Sequence, residues 1–147
     1  MKKKLINIYW FKRDLRLEDN EPLHEASKQS EKLLLIYFLE DKLISDPHYS
    51  NFHWNFVKQS IEDINLSLGK KSILFLNCDP IEGFKKISEK YKIKSIYSHM
   101  ETGIELTYLR DIDVKKYCDS NSIHWFEYEK NYVKRAVSYT HLRAHET

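Results

Sequence analysis

Leu5-Ile6-Asn7-Ile8-Tyr9, followed by Trp10-Phe11-Lys12-Arg13-Asp14-Leu15-Arg16-Leu17-Glu18-Asp19-Asn20, is the stretch whose reading decides the fold. The first five residues form a short apolar run that reads as a buried first strand. Asn20 is a favoured helix cap, and Pro22 falls in the first turn of the helix it would open. The string between them is therefore a strand-to-helix corner. Loops at such corners usually carry Gly, Ser and Asn. This one interleaves Arg13 and Arg16 with Asp14, Glu18 and Asp19, separated by Leu15 and Leu17. That alternation points to charges held against one another as the chain turns, a role that suits the planar two-point fork of Arg. The plainer alternative is a solvated charged loop.

Working outward, strand-like runs recur at residues 5–11, 33–39, 72–77, 93–98 and 123–127. They are short and rich in Ile, Leu, Tyr and Phe, as strands covered on both faces should be. Helix signals lie between them. A long helix is expected over residues 50–68, with Phe56, Ile61, Ile64 and Leu68 on one stripe and Gly69 ending it. Asp79-Pro80 opens another, in which Ile81, Phe84, Ile87 and Tyr91 share a face. A fourth runs over residues 106–118. Strand and helix in alternation imply an α/β fold: a Rossmann-like, doubly wound, parallel five-stranded sheet with helices on both faces.

The 147 residues suit one domain, and a chain of this size buries roughly 70% of its unfolded surface. Hydrophobic content of 41% and charged content of 31% are ordinary for a soluble globular protein. A formal charge of +2 is too weak to argue for nucleic acid by itself, and only Lys2-Lys3-Lys4 form a basic run. Cys78 and Cys118 lack metal-ligand spacing and read as reduced thiols of a cytoplasmic protein. The run at 5–11 is too short and interrupted for a signal segment, and 33–39 is far short of a membrane span.

Several chemistries are excluded by spacing. Gly69, Gly83 and Gly103 stand far apart, so there is no G-x-G-x-x-G turn and no phosphate-cradling loop. A stand-alone nucleotide-binding module, the main alternative from another class, would need such a loop. There is no nucleophile elbow, and His48 and His53 suit surface or capping roles. In an open parallel sheet, ligands sit beyond the carboxyl ends of the strands where the strand order reverses. With order 3-2-1-4-5 that crevice falls between strands 1 and 4. Phe11 and Lys12 then face Glu101 and Thr102, Phe38 and Glu40 lie close by, and Gly103 lets the backbone turn. An aromatic floor with a few polar groups suits a planar heterocycle. The alternative is that Phe11 and Phe38 plug the core and Glu101 pairs with a lysine.

The string from Trp10 to Asn20 resembles the opening signature of the photolyase/cryptochrome family. His53-Trp54-Asn55-Phe56-Val57 with Ser60-Ile61 is similar to a helix of bacterial cryptochrome-like photolyases. So are Ser98-His99-Met100-Glu101-Thr102-Gly103 with Thr107-Tyr108-Leu109-Arg110-Asp111, and Cys118, Ile123-His124-Trp125 and the stretch ending Val133-Lys134-Arg135. The resemblance covers residues 5–135. It implies the N-terminal α/β domain, which in many members holds an antenna chromophore of folate or deazaflavin type. In that family a helical domain carrying FAD and the DNA lesion site comes after it. Light taken up by the antenna passes to reduced flavin, which donates an electron to split a pyrimidine dimer, the reaction of a deoxyribodipyrimidine photo-lyase. The implied full-length protein is a monomer that engages damaged DNA through the helical domain. Cryptochromes use the same scaffold for blue-light signalling. Relatives often carry Arg where Phe52 stands and Trp where Leu106 stands.

Residues 136–147 break the pattern. The chain up to Arg135 is rich in Lys, Ile, Asn and Tyr. The last twelve residues have another composition and no periodicity, and they resemble a translated sequencing adapter. A native tail is the alternative. Set aside as one would a cloning scar, these residues leave 1–135 as the antenna domain of a longer protein whose catalytic, FAD-binding half is missing here, so that the fragment itself is inactive in repair.

Overall fold

β1 spans Lys4–Phe11 and is buried from Ile6 onward, as a strand covered on both faces must be. It is the central strand of a five-stranded parallel sheet of order β3-β2-β1-β4-β5, with β2 at Lys32–Phe38, β3 at Ile73–Leu76, β4 at Tyr91–His99 and β5 at His124–Tyr128. The computed structural model describes residues 3–12, 15, 17–44, 51–68, 73–100 and 105–129. Among the described residues five helices connect the strands: α1 (Glu21–Ser27), α2 (Asp41–Ile44), α3 (Asn51–Leu68), α4 (Pro80–Ser88) and α5 (Glu105–Ser120).

Alternation along the strands divides the interior into two cores. Ile8, Trp10, Ile36 and Phe38 meet Phe84 and Ile87 of α4 and Val114 and Cys118 of α5. On the other face Tyr9, Phe11, Tyr37 and Tyr97 meet Ala26 of α1 and Val57, Ile61 and Ile64 of α3. The chain therefore adopts the Rossmann-like doubly wound arrangement expected from its pattern, reversing direction between β1 and β4.

The helix starts obey the capping chemistry. Asn20 accepts a hydrogen bond from the Leu23 amide at 3.2 Å, and Asp79 accepts one from the Glu82 amide at 3.0 Å. Asp19, just ahead of the first cap, turns the corner at φ 52°, a conformation that Asp tolerates better than most residues. Leu15 and Leu17 pack on the second core, while Glu18 and Asp19 are exposed. Arg13, Asp14 and Arg16, the charges expected to brace this corner, lie outside the described residues, as do His48, Gly69, Gly103 and residues 130–147.

Three local expectations are corrected. The buried stripe of α3 is Val57, Ile61 and Ile64, whereas Phe56 and Leu68 are exposed. Spacings of four and three keep Val57, Ile61 and Ile64 on one line, and Phe56 sits about 100° round the helix from Val57. Tyr91 opens β4 instead of extending the α4 face, because α4 ends at Ser88 with Glu89 as its cap. Helix α2 was not anticipated; four residues are too few to show a period.

Candidate functional site

The carboxyl edge of the sheet carries a chain of charges anchored on two tryptophans. Lys12, the first residue beyond β1, has its side chain only 2% exposed, and its ammonium lies 3.1 Å from Asp111 and 4.0 Å from Glu127. The same ammonium stands 4.3 Å from the Trp10 ring centroid and 5.1 Å from that of Trp125. Trp10 and Trp125 stack at 5.7 Å, and the Trp125 indole donates to Ser98 Oγ. Arg110 stands 5.0 Å from the Trp10 ring, donates to Glu40 at 2.7 Å and bonds Asp111 through Nε at 3.0 Å. Glu40, Arg110, Asp111, Lys12 and Glu127 thus alternate in sign across the exits of β2, β1 and β5 and the first turns of α5. Burial of such charges is tolerable only because each has an opposite partner, and the tryptophan faces add cation–π attraction.

At the reversal point between β1 and β4, hydrogen bonds occupy the corner. The Tyr9 hydroxyl accepts from the Asn20 amide at 3.0 Å and lies 3.3 Å from Nδ1 of His99. The Met100 amide donates to the Tyr128 carbonyl at 2.6 Å, tying the β4 exit to β5. A cleft of about 430 Å³ opens further along the edge, beyond β2 and β3 and between the amino-terminal turns of α4 and α5. Its apolar lining includes Leu43, Pro80, Ile81, Leu106 and Leu109, with Glu40 and Arg110 among its polar groups.

Of the six residues singled out in the sequence, Phe11, Lys12, Phe38 and Glu40 lie among the described residues. Glu40 lines the cleft. Phe38 is buried beneath the edge in a T-shaped cluster with Trp10 and Phe84, at 5.8 and 5.2 Å. Lys12 is in the ion-pair chain on the same face. Phe11 points to the opposite face, edge-on to Tyr9 at 4.6 Å, because β1 alternates and Trp10 takes the face shared with Phe38. Glu101 and Thr102 lie outside the described residues. Sequence reasoning gave no role to Arg110, Asp111 or Trp125. The available signal was an Arg-Asp pair in the first turns of the helix that leaves the reversal point.

Among the described residues no three metal-ligating side chains converge. Cys78, which directly precedes the cleft residue Asp79, has its thiol pushed up by burial and then by the Glu82 carboxylate, which disfavours the thiolate. Burial likewise pushes the Cys118 thiol up, to about 12. The cleft sets apolar surface beside an ordered ion pair, an arrangement suited to holding a ligand.

The model of the DNA photolyase family matches residues 7–140. The chain belongs to the DNA photolyase family. Among curated relatives, cryptochrome DASH of Arabidopsis thaliana is 27% identical over 123 residues, covering 78% of this chain and 21% of the relative. Cryptochrome DASH of Synechocystis is 28% identical over 116 residues, covering 74% and 23%. The solved cryptochrome of Synechocystis superposes with a TM-score of 0.78 at 25% identity, covering 88% of this chain and 28% of that one. The archaeal photolyase of Sulfolobus tokodaii gives 0.70 at 26%, covering 84% and 29%. This photolyase-family chain spans about a fifth of the length of the curated relatives it matches, and its fold is that of their N-terminal α/β region. Among its described residues no helix is long and apolar enough to cross a membrane.

Proposed function

We propose that this chain is the antenna-chromophore domain of a deoxyribodipyrimidine photolyase, and that its carboxyl edge holds a planar heterocycle of folate or deazaflavin type. The observation that carries the reading is the cleft between α4 and α5. Its volume lies in the range of small-molecule sites, and most of its exposed wall is apolar although half of its lining residues are charged, a combination that suits a flat ring system with polar edges. Such a group supplies absorption of near-ultraviolet or blue light and transfer of that excitation to a flavin. The chain's own part is to hold it. Leu106 and Leu109 offer apolar surface, Arg110 and Glu40 offer hydrogen-bonding groups held in place by their mutual bond, and Glu101 and Thr102 remain sequence candidates for the rim. Glu40, Asp79, Glu82 and Asp113 outnumber Lys85 and Arg110 around the cleft, which favours an uncharged ring inside and any anionic tail outside.

The solved relative from Sulfolobus tokodaii, described as holding two FAD molecules and implying a novel light-harvesting cofactor, supports a light-harvesting site in the family. FAD-dependent splitting of pyrimidine dimers belongs, in this reading, to a helical domain of a parent polypeptide beyond residues 1–135. A second reading, blue-light signalling, is favoured by the cryptochrome names of the curated relatives. The absorption spectrum of the purified chain after incubation with a folate and with a deazaflavin tests the antenna. A saturable red shift of the chromophore band at equilibrium with the chain is expected, and an unchanged spectrum with both chromophores overturns it. Light-dependent repair of ultraviolet-damaged DNA by the parent polypeptide separates repair from signalling.

A further inference from the structure

The amino edge of the sheet, opposite the cleft, gathers charges that the sequence scatters. Residues 3–4, 31–32 and 89–94 carry six lysines against two glutamates, Glu31 and Glu89. A parallel sheet brings all strand entrances to one edge, so these segments become neighbours: Lys4 pairs in register with Tyr91, Leu5 with Lys92 and Ile6 with Lys32. Two of the six lysines have local partners. Lys3 donates to the Ser88 carbonyl at the end of α4, and Lys94 bonds Glu31 at 3.2 Å. Lys4, Lys32, Lys90 and Lys92 are exposed and have no ion-pair partner among the described residues. Two of them stand over one aromatic ring. The ammonium groups of Lys32 and Lys90 stand 5.8 and 5.7 Å from the centroid of Tyr91, which is half-buried against the core.

We propose that this edge binds single-stranded nucleic acid. Lysines without an ion-pair partner among the described residues, two of them beside an aromatic ring, provide the two things such a strand needs: counter-charges for successive phosphates and a flat side chain for an unpaired base. Helix carboxyl termini also converge on this edge and attract cations, but α4 is served by Lys3 and four lysines remain. Duplex DNA has no free base face to offer Tyr91, and an anionic membrane has none at all. The surface is separate from the antenna cleft and does not depend on it.

The test is fluorescence anisotropy of a labelled oligothymidylate with the full chain at increasing salt. Dissociation constants on the order of 10⁻⁵ M at low salt and a log–log salt slope of roughly −3 are expected, from about four phosphate contacts. Lys32→Gln with Lys92→Gln should flatten the slope by about 1 to 1.5. Tyr91→Leu, which keeps an apolar side chain against the core, should weaken binding about tenfold and leave the slope in place. Lys58→Gln with Lys116→Gln removes the same charge elsewhere and should change nothing. The proposal is overturned if the oligonucleotide does not bind at low salt, or if the control pair weakens it as much as the edge pair. It is also overturned if duplex DNA or phosphatidylserine vesicles bind as tightly, or if Tyr91→Leu has no effect.

Discussion

Arg110 donates to Glu40 at 2.7 Å across 70 residues of sequence, and both side chains are about nine-tenths buried. This bond ties the first turns of α5 to the exit of β2 and holds two polar groups at the cleft. Removing one partner leaves the other charge buried, which costs more than the pair itself contributes. Arg110→Met should therefore destabilise the chain by about 3 kcal/mol. Arg110→Met with Glu40→Gln should cost clearly less than the sum of the single changes. Urea unfolding of the three variants measures both quantities, and simple additivity would show the bond to be idle.

Lys12 gives a second test at the same edge. Its ammonium lies between Asp111 and the faces of Trp10 and Trp125. Lys12→Met keeps most of the volume but leaves Asp111 without its 3.1 Å partner, at a cost of about 2–3 kcal/mol. The near-ultraviolet circular dichroism of the stacked tryptophans should change with it. An unaltered spectrum and unaltered stability would mean that the charge chain does not order this edge.

At Gly83 the α4 backbone packs directly against Phe38 of the sheet. A Cβ added there would overlap Phe38 Cε1 and lie 2.9 Å from Cζ, in a cluster whose other members, Trp10 and Phe84, are fully packed. Gly83→Ala should cost about 2 kcal/mol, and Phe38→Leu in the same chain should recover part of it by making room. Thermal unfolding of the single and double variants decides the matter. Equal stability of Gly83→Ala and wild type would contradict the packing.

The strands were legible because each is a short apolar run between helix caps, and the order of alternation left few topologies. Asn20 and Asp79 announced two helix starts and serve as caps in the structure. The site was less legible, because its key contacts are long-range. Nothing local to Arg110 indicates a partner at Glu40, and nothing local to Lys12 indicates Asp111 or the two tryptophans. Phe11 and Phe38 looked alike as strand-end aromatics, yet a one-residue alternation sends them to opposite cores. The lysines of the amino edge were invisible for the same reason, being spread along the chain until the parallel register brings them together.

Alkaline stability depends on two buried acids. Burial raises the Cys118 thiol from 9.0 to about 12 and the Tyr128 phenol from 10.0 to about 12. Both are neutral at lower pH, and the folded state holds its protons longer than the unfolded chain. Their contribution is therefore intact below about pH 9 and is lost as pH rises from there to about 12. In the window where a group is deprotonated only when unfolded, it contributes a slope of about 1.4 kcal/mol per pH unit. Urea midpoints from pH 7 to pH 11 should be flat and then fall. Cys118 should resist thiol reagents until the chain unfolds, and rapid labelling of the native protein would contradict its burial.

The antenna reading is tested most directly by titrating the chain with a folate and with a deazaflavin while following emission from Trp10 and Trp125, which lie beneath Arg110 and Lys12. Saturable quenching by one of the two is expected, with a dissociation constant of about 10⁻⁵ M or tighter. Leu109→Glu, which places a charge in the apolar part of the cleft, should weaken that binding at least about tenfold, the effect of roughly 1.4 kcal/mol; Lys116→Glu should leave it unchanged. No saturable binding of either chromophore, or equal affinity in wild type and Leu109→Glu, would contradict an antenna site between α4 and α5.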